Sequence, residues 1–274
     1  MTTARTERRS LFPTLLALVS GAFVGVFGLA LGTVLTLLVG LLLVVGFGVE
    51  LTAAATIVLA LVFTQGIGCG GVALAYPRLR PRAAAFLRAR FDSFADARGD
   101  FSLPASVPSV RDLLVFVVGY VVAFGLAIVG GIVVSLTGSE TGTNQAVALG
   151  LENPEVLLLL IPASFLLIGP GEEMLFRGVV QGRIREAFGP VAGIAIASAI
   201  FAGIHIFALT GGTPTGNLLS LGVLFFPSVV FGTAYELTDN LVVPSLIHGA
   251  YNATLFSLLY AAIKLGSMQP PGAF

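Results

Sequence analysis

Charge is what this sequence has least of. Lys, Arg, Asp and Glu make up 10% of its 274 residues, where a soluble domain carries about 25%. A chain so poor in charge has lipid for most of its solvent. Its formal net charge is zero and its basic residues are dispersed, so there is no electrostatic footprint for nucleic acid. Cysteine is represented once, by Cys69 inside an apolar run, which excludes an intramolecular disulfide. Histidine is nearly as rare: His205 and His248 are the two present, and both lie in apolar segments. No internal repeat and no separate soluble domain is visible.

Apolar length is what the sequence has instead, with 56% hydrophobic residues. A helix needs about 20 apolar residues to cross the hydrocarbon of a bilayer. Charge-free runs cover 10–49, 51–77, 113–139, 156–171, 187–235 and 241–263. The run 187–235 is too long for one helix and is interrupted by "TGGTPTGN" at 210–217, so it divides into spans near 190–209 and 217–235. The first run is either one long helix or a hairpin of two short ones bent near Gly28–Gly32. Charge bias favours one helix. The basic tail "MTTARTERRS" and the segment "PRLRPRAAAFLRARFDSFADARGD" both belong on the cytoplasmic side, which requires an even number of crossings between them. The expected fold is all-α, a polytopic integral membrane helix bundle of about seven spans, with eight as the alternative.

Three regions follow. Residues 1–110 form a two-span region with an Arg-rich cytoplasmic loop at 77–111, residues 111–265 form the membrane-embedded core, and 266–274 form a short tail. The first span reads as a signal anchor that stays in the protein. The Arg-rich loop is expected to include an interfacial helix with Ala84, Phe86, Leu87, Phe91 and Phe94 on its apolar side. The fourth span, near 155–176, then ends close to the cytoplasmic face. The expected location is the cytoplasmic membrane, with the N-terminus and the opening of any site cytoplasmic.

Strongly polar groups inside the predicted spans are few: Glu172, Glu173, Arg177, His205, His248 and Asn252. Ionisable groups at membrane depth cost roughly 2.5–3.5 kcal/mol each on insertion scales, and they face a polar cavity and act there. Residues four apart share a helix face. That relation joins Glu173 to Arg177 as an ion pair, His248 to Asn252, and Phe201 to His205 as packing neighbours. Pro170 and Gly171 precede the glutamates and are expected to bend or break the fourth span, a break that must face protein or water.

In order along the chain, "EEMLFR" (172–177), "FAGIH" (201–205) and "HGAYN" (248–252) resemble the three signature motifs of the CPBP family of intramembrane proteases. That family includes the type II CAAX prenyl endopeptidases and relatives linked to bacteriocin processing and immunity. The resemblance covers residues 150–260 and implies hydrolysis of a peptide bond in a membrane-associated protein or peptide, a prenylated C-terminus among the possible targets. It implies Glu172 as the group that activates water, with His205 holding that water and shuttling its proton. His248 and Asn252 would then point donors at the developing oxyanion, while Glu173, Arg177 and Phe201 support the site from behind.

A metal version uses the same residues: Glu172, His205 and His248 form a plausible zinc set with a position left for water, although the compact H-E-x-x-H motif is absent. Two non-proteolytic readings compete. One is a scaffold or immunity factor that keeps the motifs as a polar packing core. The other is a proton-coupled transporter, disfavoured because the carboxylates cluster at one place and no inverted repeat is present.

Overall fold

The computed structural model describes residues 11–91 and 99–266, and of residues 11–13 only the backbone. The basic N-terminal tail, Phe94 and Arg98 of the Arg-rich segment, and residues 267–274 of the tail lie outside the described residues. Within them the chain is an all-α polytopic bundle. Seven helices are long and apolar enough to cross a membrane: α1 (Thr14–Gly46), α2 (Ala53–Arg90), α3 (Val110–Thr137), α5 (Glu155–Phe188), α6 (Pro190–Ala208), α7 (Pro214–Thr238) and α8 (Val242–Lys264). The short α4 (Gln145–Glu152) packs on the start of α5. Thr143–Asn144 and Leu209–Thr210 pair as two-residue antiparallel strands, β1 and β2, between the loops at one end.

Local chemistry sets the helix ends. Ser109 and Asp112 close a capping box on α3, each side chain accepting from the other's backbone N–H at 3.2 and 2.9 Å, which satisfies donors that the first turn leaves open. Thr213 caps α7 without a reciprocal bond, its Oγ1 accepting from Gly216 N at 3.1 Å. Gly189 (φ +83°) and Pro190 make the abrupt turn from α5 into α6, with proline at the first helical position, where its missing N–H costs nothing.

The first apolar run is a single helix, not a hairpin. Gly28 and Gly32 do not bend it; they let it touch α2. A Cβ on Gly32 would sit 2.5 Å from Phe63 O, and one on Gly68 would sit 2.4 Å from Gly28 O. Lipid gives apolar helices no hydrophobic reason to associate, so close backbone approach at small residues and the dispersion contacts it permits hold such pairs together.

At the bundle's centre is α5. Half of its most apolar stretch is buried, against 11% for those of α1 and α3, which stand at the periphery. Around it, Leu175, Phe176 and Val179 pack with Ala197 and Phe201 of α6 and Cys69 of α2. Leu157 and Leu160 pack with Ile57 of α2 and Ile263 of α8. A third cluster, of Ala123, Phe231 and Ile247, joins α3, α7 and α8.

Three expectations are corrected. The fourth span runs on to Phe188, so the glutamates lie at mid-helix and not near its end. The Gly169-Pro170-Gly171 stretch is helical and unbroken. Wide i→i+5 turns over Ser164–Ile168 and Met174–Gln181 flank it. In the first of these, Gly169 N bonds to Ser164 O, and the widened turn accommodates the proline ring and its missing donor, which would clash in a regular turn. Finally, the helix through Ala84, Phe86 and Leu87 is the continuation of α2 to Arg90, not a separate interfacial element.

Residues 99–109, the last part of the 77–111 segment expected as an Arg-rich loop, lie as a strap across that end of the bundle. Phe101 packs edge-on against Tyr76 with centroids 4.9 Å apart and lies under the Arg80 guanidinium. Leu103 fills the space at Gly178. Pro104 O accepts from Leu241 N at 2.8 Å, and Ser106 and the Asn240 carboxamide bond reciprocally at 3.1 Å. Beneath it Arg80 grips Glu186 with two hydrogen bonds of 2.7 and 2.9 Å.

Candidate active site

Glu172 and Glu173 stand in the middle of α5 and turn to different neighbours. Glu173 is fully buried. Its Oε2 accepts from Arg177 Nε at 2.9 Å and its Oε1 from His248 Nδ1 at 2.8 Å. Arg177, also fully buried, extends the pair to two further helices, donating from Nη1 to Ser198 Oγ on α6 at 3.3 Å and from Nη2 to Ser228 Oγ on α7 at 2.8 Å. One guanidinium fork therefore links α5, α6 and α7, and Glu173 adds α8 through His248. An uncompensated charge here would be costly, and this set is paired and hydrogen-bonded throughout.

Phe201 is the shared wall of the site. Its ring lies 5.2 Å beneath the Arg177 guanidinium, 4.5 Å from the His205 ring centroid, and edge-on to His248 at 6.0 Å. Phe231 stacks on the other side of His248 at 4.9 Å and 18°. Both imidazoles are thereby fixed, and their hydrogen bonds assign their tautomers. The Phe201 carbonyl, 2.7 Å from His205 Nδ1, can only accept, as can the Glu173 carboxylate at His248 Nδ1, so both rings carry a proton on Nδ1.

Three motif residues carry polar atoms that no other group among the described residues engages. Glu172 Oε1 accepts from Gln65 Nε2 at 2.8 Å, but its Oε2 has only His248 Nε2 nearby, at 3.9 Å, too far for a hydrogen bond. His205 Nε2 and the half-buried Asn252 carboxamide have no hydrogen-bond partner among the described residues. Depth also agrees. Glu172 lies sixteen residues before the end of α5 and His205 fifteen residues after the start of α6. Both are then roughly 22–24 Å from the connecting turn along their helix axes.

The structure thus links Glu173, Arg177, Phe201 and His248 through a chain of contacts, with His205 against Phe201 and Glu172 Oε2 3.9 Å from His248 Nε2. Asn252 lies one turn beyond His248 on α8. Gln65, Ser198 and Ser228 were not singled out from the sequence. Gln65 left a signal, as a lone carboxamide within the charge-free run 51–77; the two serines left none, since serine is ordinary in membrane helices. The zinc set Glu172, His205 and His248 is not gathered tightly enough. Among the described residues, no three His, Cys, Asp or Glu side chains form a group able to hold an ion.

Comparison with known proteins agrees with the motifs. Residues 154–254, which span most of α5 to α8 and contain all three motifs, match the family described as type II CAAX prenyl endopeptidase Rce1-like. The match supports an intramembrane endopeptidase of the CAAX type in general, acting on a membrane-associated protein from within the bilayer. No curated protein and no solved structure matches the chain.

Proposed function

We propose that the chain is an intramembrane endopeptidase in which Glu172 activates water without a metal. The observation that carries the reading is the set of unengaged polar atoms: Glu172 Oε2, His205 Nε2 and the Asn252 carboxamide, beside a network in which every charge is paired. Glu172 Oε2 takes a proton from the water, and His205, whose Nε2 carries a lone pair, orients it. The hydroxide oxygen bonds to the scissile carbonyl carbon, and the carbonyl oxygen becomes an oxyanion that accepts from Asn252. His248 Nε2 adds a second donor when its ring carries both protons. Collapse breaks the C–N bond, and the proton taken up at Glu172 and relayed through His205 goes to the leaving amine. Phe201 and the Glu173–Arg177 pair hold the histidines in place.

The substrate in this reading is a membrane-associated protein or peptide, with a prenylated C-terminus the first class to try. A cytoplasmic N-terminus and site opening belong to the same reading and rest on the arginine bias of residues 77–111. The scaffold alternative accounts for the buried ion pair but not for the unengaged groups, since a polar residue kept for packing in lipid needs a partner. Purified protein in detergent is expected to cleave a prenylated peptide, and Glu172→Gln to slow that cleavage by about 10²–10⁴-fold with an unchanged melting temperature. Membrane proteomes compared with and without the substitution should differ in C-terminally shortened proteins. Full activity in Glu172→Gln would remove Glu172 as the base.

A further inference from the structure

We infer that Gln65, on the second span and outside the stretch that matches the protease family, is a positioning residue for the peptidase reaction. The N-terminal two-span region then completes the site through it. This rests on the proposed function above. Gln65 Nε2 donates to Glu172 Oε1 at 2.8 Å, and this is the one hydrogen bond that the Glu172 carboxylate makes among the described residues. Held by Oε1, the carboxylate cannot rotate freely, and its Oε2 is left 3.9 Å from His248 Nε2. A neutral amide donor orients the carboxylate without pairing it to a charge.

The backbone around Gln65 shows that this contact is built. Its carbonyl oxygen would lie 2.4 Å from a Cβ on Gly171, the residue next to Glu172. Any side chain at 171 would push α2 away and draw the amide off the carboxylate. From the other side, α1 presses on the same turn of α2 through the Gly28–Gly68 and Gly32–Phe63 contacts. The wide-turned stretch Leu61–Gly71 is thus clamped between α1 and the middle of α5. The Gln65 Oε1 atom is buried with no hydrogen-bond partner, a cost that a residue kept only for packing would shed by becoming apolar.

Gln65→Met keeps the length and removes the donor, whereas Gln65→Asn keeps a donor on a shorter stem. Cleavage of a prenylated peptide by the full chain in detergent, with kcat and KM measured separately, tests the inference. For Gln65→Met we expect kcat to fall ~10–100-fold, the loss of one hydrogen bond to a charged group, with KM within about twofold and an unchanged melting temperature. For Gln65→Asn we expect a kcat between those of Gln65→Met and the parent chain. A packing role gives the reverse order, because methionine fills the space and asparagine does not. If Gln65→Met melts lower, the order of the two variants decides: a higher kcat for Gln65→Asn supports the inference and a lower one overturns it. A parent-like kcat in a stable Gln65→Met overturns the inference and leaves the peptidase reading standing. If the parent chain and Glu172→Gln cleave equally well, Glu172 is not the base and the inference falls while the peptidase activity stands; if the parent chain does not cleave, the peptidase reading falls and the inference with it.

Discussion

The buried fork at Arg177 can be tested quantitatively. Arg177→Met removes a charge that makes three hydrogen bonds, one within α5 and one each to α6 and α7, and leaves the Glu173 carboxylate with His248 as its one partner among the described residues. Removing one member of a buried pair costs about 3–5 kcal/mol, because the other charge is left uncompensated in a low-dielectric interior. The two serines add little to that, since a freed hydroxyl on a helix can bond back to its own backbone. For a domain of this size, ~2–4 °C per kcal/mol converts the loss into a drop of roughly 6–20 °C. The assay is thermal unfolding of the detergent-purified chain followed by helical circular dichroism. The decisive comparison is the double variant Glu173→Gln/Arg177→Met. It removes both charges and keeps an acceptor for His248 Nδ1, so it should be more stable than Arg177→Met by at least ~1 kcal/mol, a coupling that contacting residues show. If Arg177→Met melts like the parent chain, or if the double variant is no more stable than Arg177→Met, the fork does not compensate a buried charge and the argument fails.

Two further outcomes follow from the same structure. Gly68→Val places a side chain against Gly28 O, where even a Cβ would be 2.4 Å away; it should lower stability by at least the ~1–3 kcal/mol of an overpacked core. Because α2 carries Gln65, it should also slow cleavage, and a melting temperature at the parent value would refute the α1–α2 contact. Zinc chelation by 1,10-phenanthroline should leave cleavage intact. Activity lost on chelation and restored by added zinc would show that Glu172, His205 and His248 close on an ion and would replace the metal-free step.

How far the sequence could be read depended on the kind of interaction involved. Span positions were legible because lipid imposes a local rule: Asp, Glu, Lys and Arg are rare across about 20 residues of every crossing. The choice of one helix for residues 14–46 followed from charge bias across Arg5, Arg8, Arg9 and the arginines from 78 to 98. The geometry of the Glu173–Arg177 pair was legible too, since four-residue spacing on a helix is also local. Pro170 misled for the same reason. A proline inside a helix signals a break when only its own segment is considered, yet the wide turns around it, packed between α2 and α8, keep the helix continuous.

By itself, then, the sequence determined the solvent, the number of spans and the set of ionisable residues that lipid would not tolerate without a purpose. Tertiary structure decided which of them meet. The partner of Glu173 on α8 is His248, 75 residues away, and the donor to Glu172 is Gln65, 107 residues away. Neither pairing leaves a periodic trace, because contacts between helices depend on how glycines such as Gly68 and Gly171 let backbones approach. Spacing along one helix orders side chains on its own surface only. Which face another helix presents, and at what depth, is set by packing of the whole bundle.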